Sequence, residues 1–163
     1  MISLFKAVEL LAAADVEFVI VGGVAVRSHG SGYLTQDLDI CYSRTRSNLE
    51  KLAEALKPLN PRPRGFPDDL PFIWDWTTLQ NGTNFTFKTS LCEIDLLGEV
   101  AGVGDYTKVL AISSEMDFDG FKARILSING LIIAKETAGR EKDKAGLQEL
   151  YALRAAIENG PDQ

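Results

Sequence analysis

The sequence predicts an α/β (α+β) fold. Its sheet is mixed and mainly antiparallel, helices flank it, and a helical C-terminal segment belongs to the same domain. Three observations predict this. An apolar, β-branched run, Val16 to Val21, lies between two stretches of helical spacing. Two short alternating segments, Asn84–Thr89 and Cys92–Leu97, follow one another with a tight connection. The dipeptide Asp119-Gly120 separates two further strand-like runs and is the strongest hairpin signal in the chain.

The elements follow in order. Leu4, Val8, Leu11 and Ala12 recur at helical spacing, which predicts a helix over 4–14. Val16–Val21 reads as a buried strand ended by Gly22-Gly23, with a short helix from Val24 to His29. Leu38–Tyr42 reads as the second strand. Ser47, with Glu50 three residues later, has the form of a capping box for a helix whose apolar face is Leu49, Leu52, Leu56 and Leu59. Residues 58–71 hold five of the six prolines, a density that predicts no regular element. Phe66, Phe72, Trp74 and Trp76 lie in or just after this stretch. They read either as anchors of a loop or as a lid or base-stacking surface. Met116–Phe118 and Phe121–Leu126 form the hairpin around Asp119-Gly120, and Ser127 or Asn129 caps a helix from Leu131. Leu147, Leu150, Tyr151 and Arg154 have i, i+3, i+4, i+7 spacing and define the last helix, with Gly139 and Gly146 interrupting the 131–158 region. The tail from Gly160 is expected to fray. Residues 1–126 form the expected core and 127–160 the C-terminal helical segment.

The chain has 163 residues, 45% hydrophobic and 25% charged, which suits one globular domain with a core of its own. No apolar run approaches the roughly 20 residues of a membrane span. The start lacks a basic region followed by an apolar one, so no signal peptide is expected. Cys41 and Cys92 are too few for a disulfide framework and lack zinc spacing, so a reduced cytoplasmic protein is expected. The formal charge of −6 argues against a broad footprint on duplex DNA but leaves room for a local contact with an RNA end.

The chemistry concentrates between Val21 and Ile40. Asp37 and Asp39 are two apart, so on a strand they share a face while Leu38 and Ile40 take the other. Two carboxylates on one face are tolerable if both reach solvent, or if a hard cation such as Mg²⁺ lies between them. Gly22-Gly23, between strand and helix, is either a tight turn or a place where backbone N–H groups approach a phosphate. Glu93-Ile94-Asp95-Leu96 repeats the alternation. If its strand lies beside that of Asp37 and Asp39, three carboxylates converge.

These residues, Val21-Gly22-Gly23, then Asp37-Leu38-Asp39-Ile40, then Ile94-Asp95-Leu96, resemble the nucleotidyltransferase superfamily, the polymerase-beta-like fold. The chain looks more closely like small bacterial abortive-infection toxin-type nucleotidyltransferases, through Gly22-Gly23-Val24-Ala25, His29-Gly30, Thr35, and the late segments Leu131–Lys135 and Arg140–Asp143. It departs from that group where Tyr33 and Leu34 stand in place of an Arg, and Gly146 and Leu147 in place of a second Asp.

The resemblance implies a metal-dependent transfer of a nucleoside monophosphate from an NTP such as ATP to a hydroxyl on a protein or a tRNA end. Two Mg²⁺ (or Mn²⁺) ions, roughly 3.5–4 Å apart, would be held by Asp37, Asp39 and Asp95. Gly22, Gly23 and Thr35 would serve the nucleotide. Lys135 and Lys142, seven apart and on one face if the helix is continuous, would neutralise its phosphates or else coat a solvated helix face. Arg140, Lys142 and Asp143 read more readily as such a solvated face. A toxin–antitoxin role with an antitoxin-like protein partner is the biological setting implied. A non-catalytic nucleotide- or partner-binding module that kept the fold is the alternative.

Overall fold

The computed structural model describes residues 2–160; the expected fraying of residues 161–163 lies outside them. The helix α1 (Ile2–Ala13) buries Leu4, Ala7, Val8 and Leu11. The strand β1 (Phe18–Val21) is buried throughout, as an unalternating apolar run requires at the centre of a sheet. The helix α2 (Gly22–Ser28) begins on the glycines themselves, two residues earlier than the sequence predicts, because Gly22 adopts φ +69° and turns the chain directly out of the strand. β2 spans Asp37–Tyr42 and α3 spans Arg46–Leu56.

The cap of α3 is Thr45, whose hydroxyl accepts the Asn48 N–H, and not Ser47. Glu50 bonds Arg46 one turn back at 3.0 Å instead of closing a capping box. Asn48, inside this first turn, is almost fully buried and ties the helix to the backbone at Glu17 and Ser43. Its Oδ1 accepts the Glu17 N–H at 2.7 Å, and its amide donates to the Glu17 and Ser43 carbonyls. Replacing it with Leu strands those groups, so Asn48→Leu is expected to cost about 2–3 kcal/mol in urea unfolding with an unchanged m-value.

The proline-rich stretch does contain regular structure. A 3₁₀ turn covers Lys57–Leu59, and Arg62–Pro63 forms a two-residue strand, β3. Proline fits there because β3 is the sheet's edge and needs no ladder N–H on its open side. The aromatics anchor this stretch. Phe72 and Trp74 pack on Phe87 at 6.2 and 5.1 Å, and the Trp74 indole N–H donates to the Ala53 carbonyl.

A short helix α4 (Trp76–Gln80) leads into β4 (Phe85–Lys88) and β5 (Glu93–Leu97), the expected antiparallel pair. The small hairpin β6–β7 (Glu99–Val100, Gly104–Asp105) and the helix α5 (Tyr106–Ala111) fill a stretch whose sequence carries too short a pattern to assign. β8 (Ser113–Asp117) and β9 (Lys122–Leu126) form the predicted hairpin. Asp119 and Gly120 both take positive φ, which is what a two-residue turn needs to match strand twist.

The helix after it, α6, starts at Ile128 with Ser127 as cap and ends at Ala138, where Gly139 adopts φ +62°. A 3₁₀ turn (Glu141–Asp143) precedes α7 (Lys144–Glu158). Residues 131–158 are therefore not one helix, and Lys135 and Lys142 do not share a helix face. α6 and α7 pack on each other and on α2.

Seven strands form one sheet in the order β3-β4-β5-β2-β1-β9-β8. β1 pairs antiparallel with β2 and parallel with β9, while β2 pairs parallel with β5; the remaining pairs are antiparallel. The sheet is mixed and mainly antiparallel, flanked by helices, as the sequence predicts. Among the described residues, no helix is long and apolar enough to cross a membrane.

Candidate active site

Strand alternation sets the site. Leu38, Ile40, Ile94 and Leu96 are fully buried, which turns Asp37, Asp39, Glu93 and Asp95 to the opposite face. The parallel register aligns Asp37 with Glu93 and Asp39 with Asp95, and Val21 lies opposite Asp39 on its other side. The Asp39 and Asp95 carboxyls are therefore neighbours on one face of the sheet. Burial pushes the Asp39 carboxyl up; the neighbouring Asp95 and the charge of Asp37 push it further, and Lys135 offsets part of this. It titrates at about 7, so near neutrality the pair holds a proton that an isolated aspartate would have lost. Among the described residues, no three His, Cys, Asp or Glu side chains stand together as a ready metal cage.

Gly22 closes the site from the β1 side. A Cβ there would stand on the Asp39 carboxylate, so only glycine lets β1 approach so near. Gly23 fits against Thr35 in the same way, with the Thr35 hydroxyl 2.6 Å from where a Cβ would be. The Thr35 hydroxyl donates to the Asp37 carbonyl at 3.2 Å and steadies the entry to β2.

A cavity of about 590 Å³ brings together Gly22, Gly23, Thr35, Asp37, Asp39 and Asp95 with Lys135 and Lys142, the residues that the resemblance assigns to metal and nucleotide. A second cavity of about 670 Å³ shares Gly22, Lys135 and Arg140 with it; Val100, Val103, Leu131 and Ala134 supply apolar wall.

The basic side of the site is built around a buried acid that the sequence reading assigned to a solvated face. Asp143 is 3% exposed. It accepts from Lys135 at 3.2 Å and from Arg140 at 2.7 and 3.2 Å. Burial pushes the Asp143 carboxyl up, but the hydrogen bonds and charges of Arg140 and Lys135 outweigh it and hold the carboxyl below its ordinary value. Lys135 also lies 5.9 Å from the centre of the Tyr33 ring. Gly146, within α7, makes room for it, since a Cβ would come within 2.9 Å of the lysine's Cε. His29 is structural: its Nε2 donates to the Leu126 carbonyl at 2.8 Å.

Sequence reasoning missed Arg64. Its Nη2 bonds Asp95 at 2.9 Å and its Nε faces Glu93 at 3.2 Å. No local pattern signals an ion pair formed across the sheet edge.

Among solved structures, the chain is similar to a crystal structure of an antigenic nucleotidyltransferase-like protein from Paracoccidioides brasiliensis. The match has a TM-score of 0.55 at 16% identity and covers 93% of this chain and 73% of that one. The chain has a nucleotidyltransferase-like fold. No known family's sequence profile matches it, and no curated protein does. The fold accounts for the paired parallel strands β2 and β5 with a glycine-ended β1 beside them. That arrangement places Val21, Asp39 and Asp95 in a row, with Gly22 next along the chain from Val21.

Proposed function

We propose that the chain is a metal-dependent nucleotidyltransferase, moving a nucleoside monophosphate from an NTP to a hydroxyl acceptor. The observation that carries this reading is the Asp39–Asp95 pair: two hard oxygen donors on neighbouring parallel strands, with Asp39 raised to about 7 by burial and by the crowding of Asp95, beside glycines and a cationic wall. A divalent cation relieves that crowding, and the donor set suits Mg²⁺ or Mn²⁺. Asp39 and Asp95 would hold it, with Asp37 on the same face. Bound there, the metal supplies charge neutralisation for the triphosphate and a lowered pKa for the attacking hydroxyl.

The chain's own residues do the positioning. Gly22 and Gly23 offer backbone N–H groups to phosphate oxygens at the point where a side chain would block them. Lys135, held by Asp143 and Tyr33, and Arg140 beside it place positive charge where the leaving pyrophosphate gathers negative charge. Lys142 lines the same cavity and adds to that charge. Thr35 keeps the Asp37 strand end in register. The apolar second cavity, which meets the first at Gly22, takes the nucleoside.

The acceptor is a protein side chain, a small molecule or a tRNA end, and the charge of −6 favours the first two. A toxin–antitoxin component, held by an antitoxin-like partner, is the setting that the sequence resemblance suggests, and the cytoplasm its compartment.

The test is incubation with each α-labelled NTP, Mg²⁺ or Mn²⁺, and candidate protein and RNA acceptors. Label transfer lost in Asp39→Asn supports the reading. Absence of transfer together with absence of metal-dependent NTP binding overturns it in favour of a non-catalytic module.

A further inference from the structure

Arg64 lies at the end of a row that crosses the sheet. Val21 is aligned with Asp39, Asp39 with Asp95, and Asp95 with Thr86. The Arg64 N–H donates to the Thr86 carbonyl at 2.8 Å, which fixes its backbone just outside β4. The row therefore has Val21, the residue before Gly22, beyond Asp39 at one end and Arg64 beyond Asp95 at the other.

From that edge the guanidinium reaches back over β4 and forks between two acids, Nη2 on Asp95 and Nε on Glu93. Its side chain is 35% exposed and the Asp95 side chain 23%, so the pair is partly withdrawn from solvent. The backbone beyond Arg64 is also set: Gly65 turns at φ +79°, and the Phe66 N–H donates to the Pro63 carbonyl.

Asp95 thus has Asp39 as its neighbour on one side and bonds Arg64 on the other. A metal entering between Asp39 and Asp95 needs donor capacity that Arg64 now uses. Glu93, the second branch of the fork, gives the guanidinium a partner to keep when it lets go of Asp95.

We propose that Arg64 is the resident counter-cation of Asp95, a positioning residue that a divalent metal displaces from Asp95 onto Glu93 as it enters the site. This rests on the nucleotidyltransferase reading, from which it takes the metal's place at Asp39 and Asp95. Arg64 holds the outer carboxylate aimed across the row in the metal-free protein and sets a threshold for metal binding.

The test uses the full chain and Mn²⁺ alone, without nucleotide, with free metal read by electron paramagnetic resonance. Arg64→Gln should bind Mn²⁺ about 2–5-fold more tightly than the wild type, the range expected for removing a partly exposed competing ion pair. Arg64→Lys, which keeps the charge but cannot fork between two acids, should fall between them and also covers the case in which Arg64→Gln fails to fold. Lys88→Gln removes a nearby charge that pairs with Asp68 rather than Asp95, and should change affinity less than twofold. Unchanged or weaker binding in Arg64→Gln, or equal tightening in Lys88→Gln, overturns the proposal. Asp39→Asn is measured alongside. If it weakens Mn²⁺ binding while Arg64→Gln does nothing, the metal site stands and only the counter-cation role fails. If it leaves binding intact, the site reading fails and this inference with it.

Discussion

Asp39→Asn is expected to stabilise the metal-free protein at pH 8 by about 1–3 kcal/mol while lowering transfer by about 10²–10³-fold or more. The two effects have one cause. Asp39 is half-buried and is crowded by Asp95 and Asp37, so its charged form is unfavourable in the folded chain. Asparagine keeps the size without the charge.

The sign of the pH dependence follows from the raised pKa. Between about pH 4 and pH 7 the folded chain keeps a proton at Asp39 that the unfolded chain releases. This contribution is complete below pH 4 and is lost as the pH rises through 7. The wild type should therefore lose stability from this group over that window, and Asp39→Asn should flatten the loss. Urea unfolding at pH 4.5, 6 and 8 in the presence of a chelator measures it. Added Mg²⁺ should raise the wild-type melting temperature most at pH 8, where the pair is deprotonated, and should barely move Asp39→Asn. Equal stability of the two proteins at pH 8 would show that Asp39 is not strained.

Asp143→Ala is expected to be the most damaging single change near the site, costing about 3 kcal/mol in denaturant unfolding. Asp143 is nearly inaccessible and is the partner of Lys135, whose side chain is 13% exposed. Removing it leaves that ammonium enclosed without its acid, while Arg140, 56% exposed, can turn to solvent. The cost should therefore sit at the low end of what a broken buried pair loses. Both cations also lose their anchor, so KM for the NTP should rise and kcat fall. Asp143→Asn, which still accepts one hydrogen bond, should lie between. The pH behaviour is opposite to that of Asp39. The Asp143 carboxyl is held low, so its stabilisation is present above about pH 4 and lost on acidification. A wild-type-like stability of Asp143→Ala would contradict this account.

These two aspartates mark what could and could not be read from the chain. Asp39 was legible because alternation on a strand is a local rule. With Leu38 and Ile40 committed to the core, the acids had one face left, and the same rule placed Asp95. The Asp119-Gly120 turn and α1 were legible for similar local reasons. Asp143 was not, because a run of mixed charges looks the same whether it is solvated or folded inward. Its burial depends on Gly139 ending α6 and swinging the next turn back over Lys135. The condition for Lys135 and Lys142 to share a helix face, an unbroken helix, is not met, because α6 ends at Ala138 before Gly139; yet the turn brings both to one cavity. The cap of α3 went to Thr45 because the helix begins at Arg46, which leaves Ser47 inside the first turn. β3 escaped notice because its proline is harmless only at an edge, and edges are decided by the whole sheet. Arg64 belongs to the same class, since its partners lie 29 and 31 residues further along the chain.

The parallel pairing of β2 with β5 has a kinetic consequence. Asp39 and Asp95 meet only through a ladder between strands distant in sequence, and Lys135 and Asp143 come from α6 and the turn that follows it. Such non-local contacts form slowly, because the loop must close before the pairing repays it. A chain emerging from the ribosome therefore carries β1 and both glycines long before it carries a site. Recovery of metal binding during refolding should lag behind recovery of helix, and a nascent chain that stops short of α7 should be chemically silent however well its first strands have formed.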